Sequence, residues 1–455
     1  MNAIKKYLGN FELYVRVCGI ALPIAFQSII SLGVNMVDNI MVGSLGEAAL
    51  SATSLANQFI HIYQICCMGI GMGASVLVAR FWGMKDMPSL KKSISIMFRL
   101  CIAFGLVFTV VTMFMPSQIM RIYTPQSDVI EQGTRYLEWS VPSYLLLGIS
   151  LTCSIVLRSI NQAKIPMYCS IVSFLSNVVF NWIFIFGNCG APRMEVAGAA
   201  LGTLLARIIE FSSIIFYFLV LEKQVAYRIR DLFMKCRDLL AEYLRVSIPV
   251  LISDAILAFG NSAIAMIMGR IGAEFVAANS ITAVTQQLTT VLTQGISQAG
   301  CIVTGHTLGE GRREQAQQEG YSFMFFGAII GIVAAVIILC IYKPVIDMYN
   351  ITEEAGKIAE QLMIAVAFIV VFQSTNSILT KGVLRGGGDT KVLMVADNIF
   401  LWIVSVPLGI LGGLYFHLPA FWVYCFMKAD QILKCIWCVF RLMSGKWIKR
   451  IENNS

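Results

Sequence analysis

Asp38 stands near the end of a long apolar run, SIISLGVNMVDNIMVG. An acid at the centre of a membrane helix costs about 2.5–3.5 kcal/mol on insertion scales, so a span that keeps one usually faces a cavity or an ion path. Asn35 lies one helical turn earlier on the same face. The alternative places Asp38 at the outer interface as a solvated charge. In SFLSNVVFNWIF the spacing of Asn177 and Asn181 puts two amides on one helix face, where they can coordinate an ion together or join neighbouring helices. Thr203, in GAALGTLLAR, is either a ligand or a hydroxyl bonded to its own backbone among small residues. Nearer the C-terminus, Asp397 and Asp430 with Lys428 and Lys434 form either charge pairs facing a cavity or ties between helices.

Other patterns carry less. Gly69, Gly71 and Gly73 sit inside an apolar span and read as a close-packing face, not a nucleotide loop. GGGD at 386–389 lacks the ending of a phosphate-binding loop, and without a Walker motif ATP-driven export is disfavoured. His61, His306 and His417 are too scattered for a histidine metal site. Cys435 and Cys438 form a CxxC inside an apolar helix, without a second pair. No nucleophile, base and orienting group come together by motif, so the chain does not read as an enzyme and needs no cofactor.

The elements that must hold these residues are membrane helices. Of 455 residues 57% are apolar and 13% charged, against about 45–50% and 25% in soluble proteins. Apolar stretches long enough to span recur near 14–40, 53–79, 93–115, 136–157, 166–187, 196–221, 246–271, 281–305, 321–342, 358–384, 392–414 and 418–441. The expectation is an all-α, multi-pass protein of the cell membrane with twelve transmembrane helices and the lipid bilayer as its solvent. The polar opening residues carry no cleavage pattern, so no removable signal peptide is expected. The net charge of +8 is spread through loops, which argues against nucleic acid as a partner. Lys5, Lys6, Lys91, Lys92, Lys381, Arg385, Lys449 and Arg450 fall in segments that would be cytoplasmic, whereas outer segments hold few cations, such as Arg121 and Lys343. By the positive-inside rule both termini are cytoplasmic. The sequon beginning at Asn350 falls on a predicted outer loop.

The chain also repeats itself. A shift of 226 residues lays Pro23 on Pro249, Asn35 on Asn261, Gly43 on Gly269, Gly46 on Gly272 and Gly69 on Gly295. One residue more lays VLRSINQAK (156–164) over VLRGGGDTK (383–391). Six spans per repeat is even, so the halves are parallel and related by a pseudo-two-fold axis along the membrane normal. The expected organisation is an N-lobe over 1–221, a charged cytoplasmic linker over 222–245 and a C-lobe over 246–455, able to rock about a central cavity.

VNMVDNIMVGSLG (34–46), the second span ending in VARFWGMKD, VLRSINQAKIP, NVVFN (177–181) and VLRGGGDTK resemble the multidrug and toxic compound extrusion (MATE) family across essentially the whole chain. The resemblance implies secondary active efflux of small organic, often cationic, molecules in exchange for Na⁺ or H⁺ by alternating access, with a monomer as the expected working unit. It also implies that Asp38, Asn177, Asn181 and Thr203 form one cation or proton site. Some relatives place acids on the seventh and tenth helices. Here Asp254 lies near the first of those positions, and Gln373, Ser374 and Asn376 occupy the region of the second. Asp254, Gln373 and Asn376, with Asn35 and its repeat partner Asn261, are therefore expected at a substrate or second-lobe site. A lipid-linked saccharide flippase of the same architecture is the alternative transporter, and a receptor or scaffold without flux is the alternative outside transport.

Overall fold

A computed structural model describes residues 11–349 and 352–449. Lys5, Lys6, Asn350 and Arg450 lie outside the described residues. The described chain is built from helices α1 (Phe11–Gly43), α2 (Glu47–Met84), α3 (Met87–Phe114), α4 (Pro116–Tyr123), α5 (Ser127–Ser140), α6 (Ser143–Ser159), α7 (Lys164–Phe186) and α8 (Glu195–Phe216) in the first repeat. The second contains α9 (Arg237–Ile271), α10 (Ala273–Gly309), α11 (Arg313–Asp347), α12 (Glu353–Ser377), α13 (Thr390–Ile399), α14 (Val406–Ile410), α15 (Ala420–Met427) and α16 (Ala429–Met443). π-helical turns at Tyr217–Leu221, Ile378–Leu384, Phe400–Ser405 and Leu411–Tyr415 join or extend several of them.

Among the described residues nine helices are long and apolar enough to cross a membrane, or ten if α5 and α6, bent by 59° at their junction, make one span. The remaining two of the twelve expected positions are helical but differ in character. α10 is long yet rich in Thr and Gln, and the last is broken into α15 and α16 at Lys428, whose φ of −115° and ψ of 16° leave the helical region. Apolar side chains point outward, as lipid requires: α11 alone exposes Ile329, Ile332, Val333 and Val336. Buried hydroxyls return to their own helix, with Thr282 Oγ1 donating to Ala278 O at 2.8 Å and Ser297 Oγ to Thr293 O at 2.8 Å.

The repeat is visible in local geometry. Pro23 lies inside α1 and Pro249 inside α9. Gly46 precedes α2 and Gly272 precedes α10. The turn after each VLR carries a left-handed residue, Asn161 at φ 65° and Gly388 at φ 85°. Each of these turns is also tied to the segment closing its repeat. Gln162 Nε2 donates to Glu222 Oε1 at 3.4 Å, and Lys449 Nζ lies 3.5 Å from Asp389 Oδ1. On the longer offset, Gln162 answers to Asp389 and Glu222 to Lys449.

The chain forms two compact units, one from Phe26 to Ser247 and the other from Ile248 onward together with the residues up to Ala25. In the first, Tyr63 is fully buried, stacks on Phe104 and Phe108, and donates to Tyr144 O at 2.9 Å. The segment after α8 is strapped to one face of α3. Lys91 pairs with Asp231 at 3.1 Å, Ser95 Oγ donates to Asp231 O at 2.7 Å, and Arg99 donates to Leu232 O and Met234 O at 2.7 and 2.6 Å. In the second unit α11 meets α12 through glycines one turn apart. A Cβ at Gly327 would lie 2.9 Å from Thr375 Cα, and one at Gly331 2.6 Å from Val371 Cα. Small residues at this spacing let two helix backbones approach without solvent to drive them together.

Gly331→Leu should therefore force these helices apart and lower stability by about 1–3 kcal/mol. Gly356, with nothing within 4 Å of its Cβ direction, is the matched control position. Thermal unfolding of detergent-purified protein checks this, and equal midpoints for Gly331→Leu and Gly356→Leu would count against the contact.

Candidate functional site

Two glycines decide where the amides of α7 sit. A Cβ at Gly198 of α8 would come within 2.6 Å of Phe184 C, and one at Gly202 within 3.0 Å of Asn181 N. α8 thus lies directly against the face of α7 that carries Asn177 and Asn181, both buried. Asn181 Nδ2 donates to Asp38 Oδ1 at 2.6 Å and to Asn177 Oδ1 at 3.3 Å, and Asn177 Nδ2 donates to Thr203 Oγ1 at 3.4 Å. α1, α7 and α8 therefore bring the four expected residues into one chain of contacts inside a single unit.

Asn181 Oδ1 is buried without a hydrogen-bond partner. A buried carbonyl oxygen left unpaired costs about 1–3 kcal/mol, so its presence beside a carboxylate calls for a donor or a cation. The cluster offers the Asp38 carboxylate, two amide oxygens and a hydroxyl, a hard-oxygen set suited to Na⁺; a proton on Asp38 could instead be donated to an amide oxygen. Arg207, one turn beyond Thr203, acts on Asp38 through space and pairs with Glu210 at 2.6 Å. Its signal lay in GTLLAR, where the helical spacing puts it on the face of Thr203. Asn35 is exposed and takes no part in these hydrogen bonds.

The second unit holds a cavity of about 400 Å³. Asp254, Asn261, Gln373 and Asn376 line it, as do Asp397, Asp430, Lys428 and Lys434; Ser374 does not and instead accepts from Thr293 Oγ1 at 3.2 Å. Both arrangements read for the charged residues are seen in Asp397, Asp430 and Lys434, whereas Lys428 lines the cavity without an ion pair to a described residue. Lys434 Nζ lies 3.3 Å from Asp397 Oδ1 and 3.3 Å from Asp430 Oδ2, tying α13 to α16 while facing the cavity. Ser253 and Ser405 donate to the same carboxylates at 3.2 and 3.0 Å. The amides also pair: Gln286 Nε2 donates to Gln373 Oε1 at 2.5 Å, and Asn376 Nδ2 to Gln431 Oε1 at 3.0 Å.

Lys381 and Arg385, expected in a cytoplasmic segment, both lie on helix and not in a loop. The helix continues past Ser377 as a π turn, which carries Lys381 onto the cavity wall. Arg385, directly after it, is buried and lies 3.8 Å from Asp254 Oδ1. A π turn adds a residue to the helical cycle and rotates the chain beyond it, a change that residue spacing alone does not reveal.

Helices that bury amides and carboxylates between apolar outer faces define a multi-pass membrane transporter. The sequence profile of the MatE family matches twice, over residues 23–183 and 249–411. The chain belongs to the MatE family. It is 24% identical over 453 residues to a probable multidrug resistance protein NorM of Thermotoga maritima, covering 99% of this chain and 97% of that one. The multidrug resistance protein NorM of Aliivibrio fischeri is 22% identical, covering 88% and 87%. An outward-facing multidrug resistance MATE transporter superimposes with a TM-score of 0.85 at 19% identity, over 98% of this chain and 99% of that one. A transporter from Pyrococcus furiosus, described as having a binding pocket of reverse polarity, gives 0.84 at 19% identity over 98% and 99%.

Lys434→Met should be among the most damaging single changes in the second unit. It leaves two buried carboxylates without their shared counter-ion, at a cost of about 3–5 kcal/mol. Thermal unfolding in detergent measures this, and Asp430→Asn in the Lys434→Met background should recover part of the loss. A wild-type midpoint for Lys434→Met would show that the triad contributes nothing to stability.

Proposed function

We propose that this protein exports small organic molecules, cationic ones among them, in exchange for Na⁺ or H⁺ by alternating access. The observation that carries the reading is the unpaired oxygen of Asn181 beside Asp38, within a cluster whose other members are already bonded to one another. The names of the relatives support the export of drugs in particular. The protein works as a monomer in the cell membrane with both termini in the cytoplasm, its lobes spanning 1–221 and 246–455 about the linker 222–245.

Coupling requires that the ion favour one conformation over the other, because a ligand that binds both equally shifts nothing. Asp38 supplies that difference through its neighbours. With Na⁺, its carboxylate, the amide oxygens of Asn177 and Asn181 and the Thr203 hydroxyl would close on the ion. With H⁺, the new Asp38 O–H would donate to an amide oxygen and cancel the charge. Either event satisfies the unpaired oxygen and rearranges α1 against α7. Asp254, Asn261, Gln373 and Asn376 contribute to a substrate site within the second lobe, and Asn35, exposed on α1, contacts substrate within the first.

Export of a fluorescent cation from pump-deficient cells, with Na⁺ and pH gradients varied separately, tests this. Asp38→Asn should reduce export about tenfold or more at equal expression, the loss of a charge made only in the coupled state. Asn181→Ala removes the unpaired oxygen and should lower export under either gradient, abolishing it under Na⁺, where the oxygen is a ligand, and lowering it less under H⁺, where Asp38 still titrates and the Asn177 oxygen can accept its proton. Wild-type rates in Asp38→Asn under both gradients would overturn the reading.

A further inference from the structure

The cavity of the second unit has an uneven balance of charge. Its acids are already engaged: Asp397 and Asp430 share Lys434 at 3.3 Å each, and Asp254 faces Arg385 at 3.8 Å. Lys428 and Lys381 line the same space and form no ion pair with a described residue. Lys428 is not there by chance of a flexible loop, since it sits at the break between α15 and α16, close before the Asp430 whose backbone N–H is fixed by Ser405 Oγ at 2.8 Å. With Arg385 counted beside its partner Asp254, four cations, Lys381, Lys428, Lys434 and Arg385, face three acids, so this space is one negative charge short of balance.

We propose that this cavity binds a small organic anion, its acidic group held by Lys428 and Lys381. The assignment deepens the export reading, on which its role in transport rests, by naming a second class of substrate. The remaining wall describes the rest of the ligand. Asn261 offers an amide with no side-chain partner among the described residues, suited to an amide or hydroxyl on the ligand. Leu257 and Leu401 supply a short apolar stretch that accepts the edge of a ring. A volume of about 400 Å³ falls within the range of sites that enclose small organic ligands. An organic cation fits the same space less well, because it would meet Lys428 and enter a space whose cations already outnumber its acids by one.

The test is equilibrium binding of radiolabelled p-aminohippurate, a ring-bearing carboxylate with an amide, to the detergent-purified full chain, with tetraethylammonium as cationic competitor. Wild type should bind p-aminohippurate and resist displacement by tetraethylammonium. Lys428→Gln and Lys381→Gln should each weaken binding, Lys428 by about tenfold or more. Lys428→Arg, which keeps the charge, should retain binding and excludes misfolding as the cause, and Lys446→Gln, an exposed change of equal charge, should have no effect. Absence of binding to wild type, wild-type affinity in both glutamine variants, or ready displacement by tetraethylammonium overturns the assignment. Because binding is read without a gradient, the two proposals fail separately. Export of a cationic dye without anion binding counts against this site alone, and anion binding without any dye export counts against the transport reading alone.

Discussion

Inside a bilayer no water is available to a backbone amide, so each N–H and C=O must find its partner within the protein at a cost of several kcal/mol if it does not. That constraint makes the described chain helical almost throughout, and it makes every exception informative. Hydroxyls fold back onto their own carbonyls, as Thr282 and Ser297 do, and so disappear electrically. Glycines at Gly327 and Gly331 substitute close backbone contact for the hydrophobic force that lipid cannot supply. Some side chains that cannot be silenced in either way pair elsewhere, as Glu319 does with Thr307 and Asp389 with Arg441, and two groups of them form the candidate sites.

The two places use opposite electrostatic strategies. In the first unit a single acid is surrounded by neutral amides, with one oxygen left over and Arg207 acting from a distance. Such a centre holds its acid by hydrogen bonds from neutral groups and not by an ion pair within it. In the second unit Asp397, Asp430 and Lys434 fix one another, and Asp254 is answered by Arg385. Charges locked in this way hold helices in register and present a defined field to whatever enters the cavity. The amide pairs across that cavity, Gln286 with Gln373 and Asn376 with Gln431, add hydrogen-bonding surface without adding charge.

Helical periodicity and the cost of burying an acid were enough to place Asp38, Asn177, Asn181 and Thr203 on membrane helices from sequence. The resemblance to the family, rather than spacing, joined them into one cluster, because contact between α1, α7 and α8 depends on tertiary packing. Four of the five residues expected at the second-lobe site do share a wall; Asn35 lies in the other unit. That Lys381 faces the cavity and Arg385 meets Asp254 was not legible, because a basic residue at the end of an apolar run looks the same whether the helix stops or takes a π turn and continues. The twelve-span count met a similar limit at α10, where Thr and Gln dilute a long helix, and at Lys428, where a continuous apolar stretch conceals a break.

The ties that close the two repeats differ in where the acid stands. Gln162 meets Glu222 in one half, and Asp389 meets Lys449 at the equivalent points of the other. The architecture of the brace is the same, but the acid has changed sides: it belongs to the closing segment in the first half and to the turn in the second. A chimaera that grafted the second turn onto the first closing segment would set Asp against Glu, two like charges, and the reciprocal graft would leave Lys facing a neutral amide. Each turn is thus matched in charge to its own closing segment and not to that of the other half.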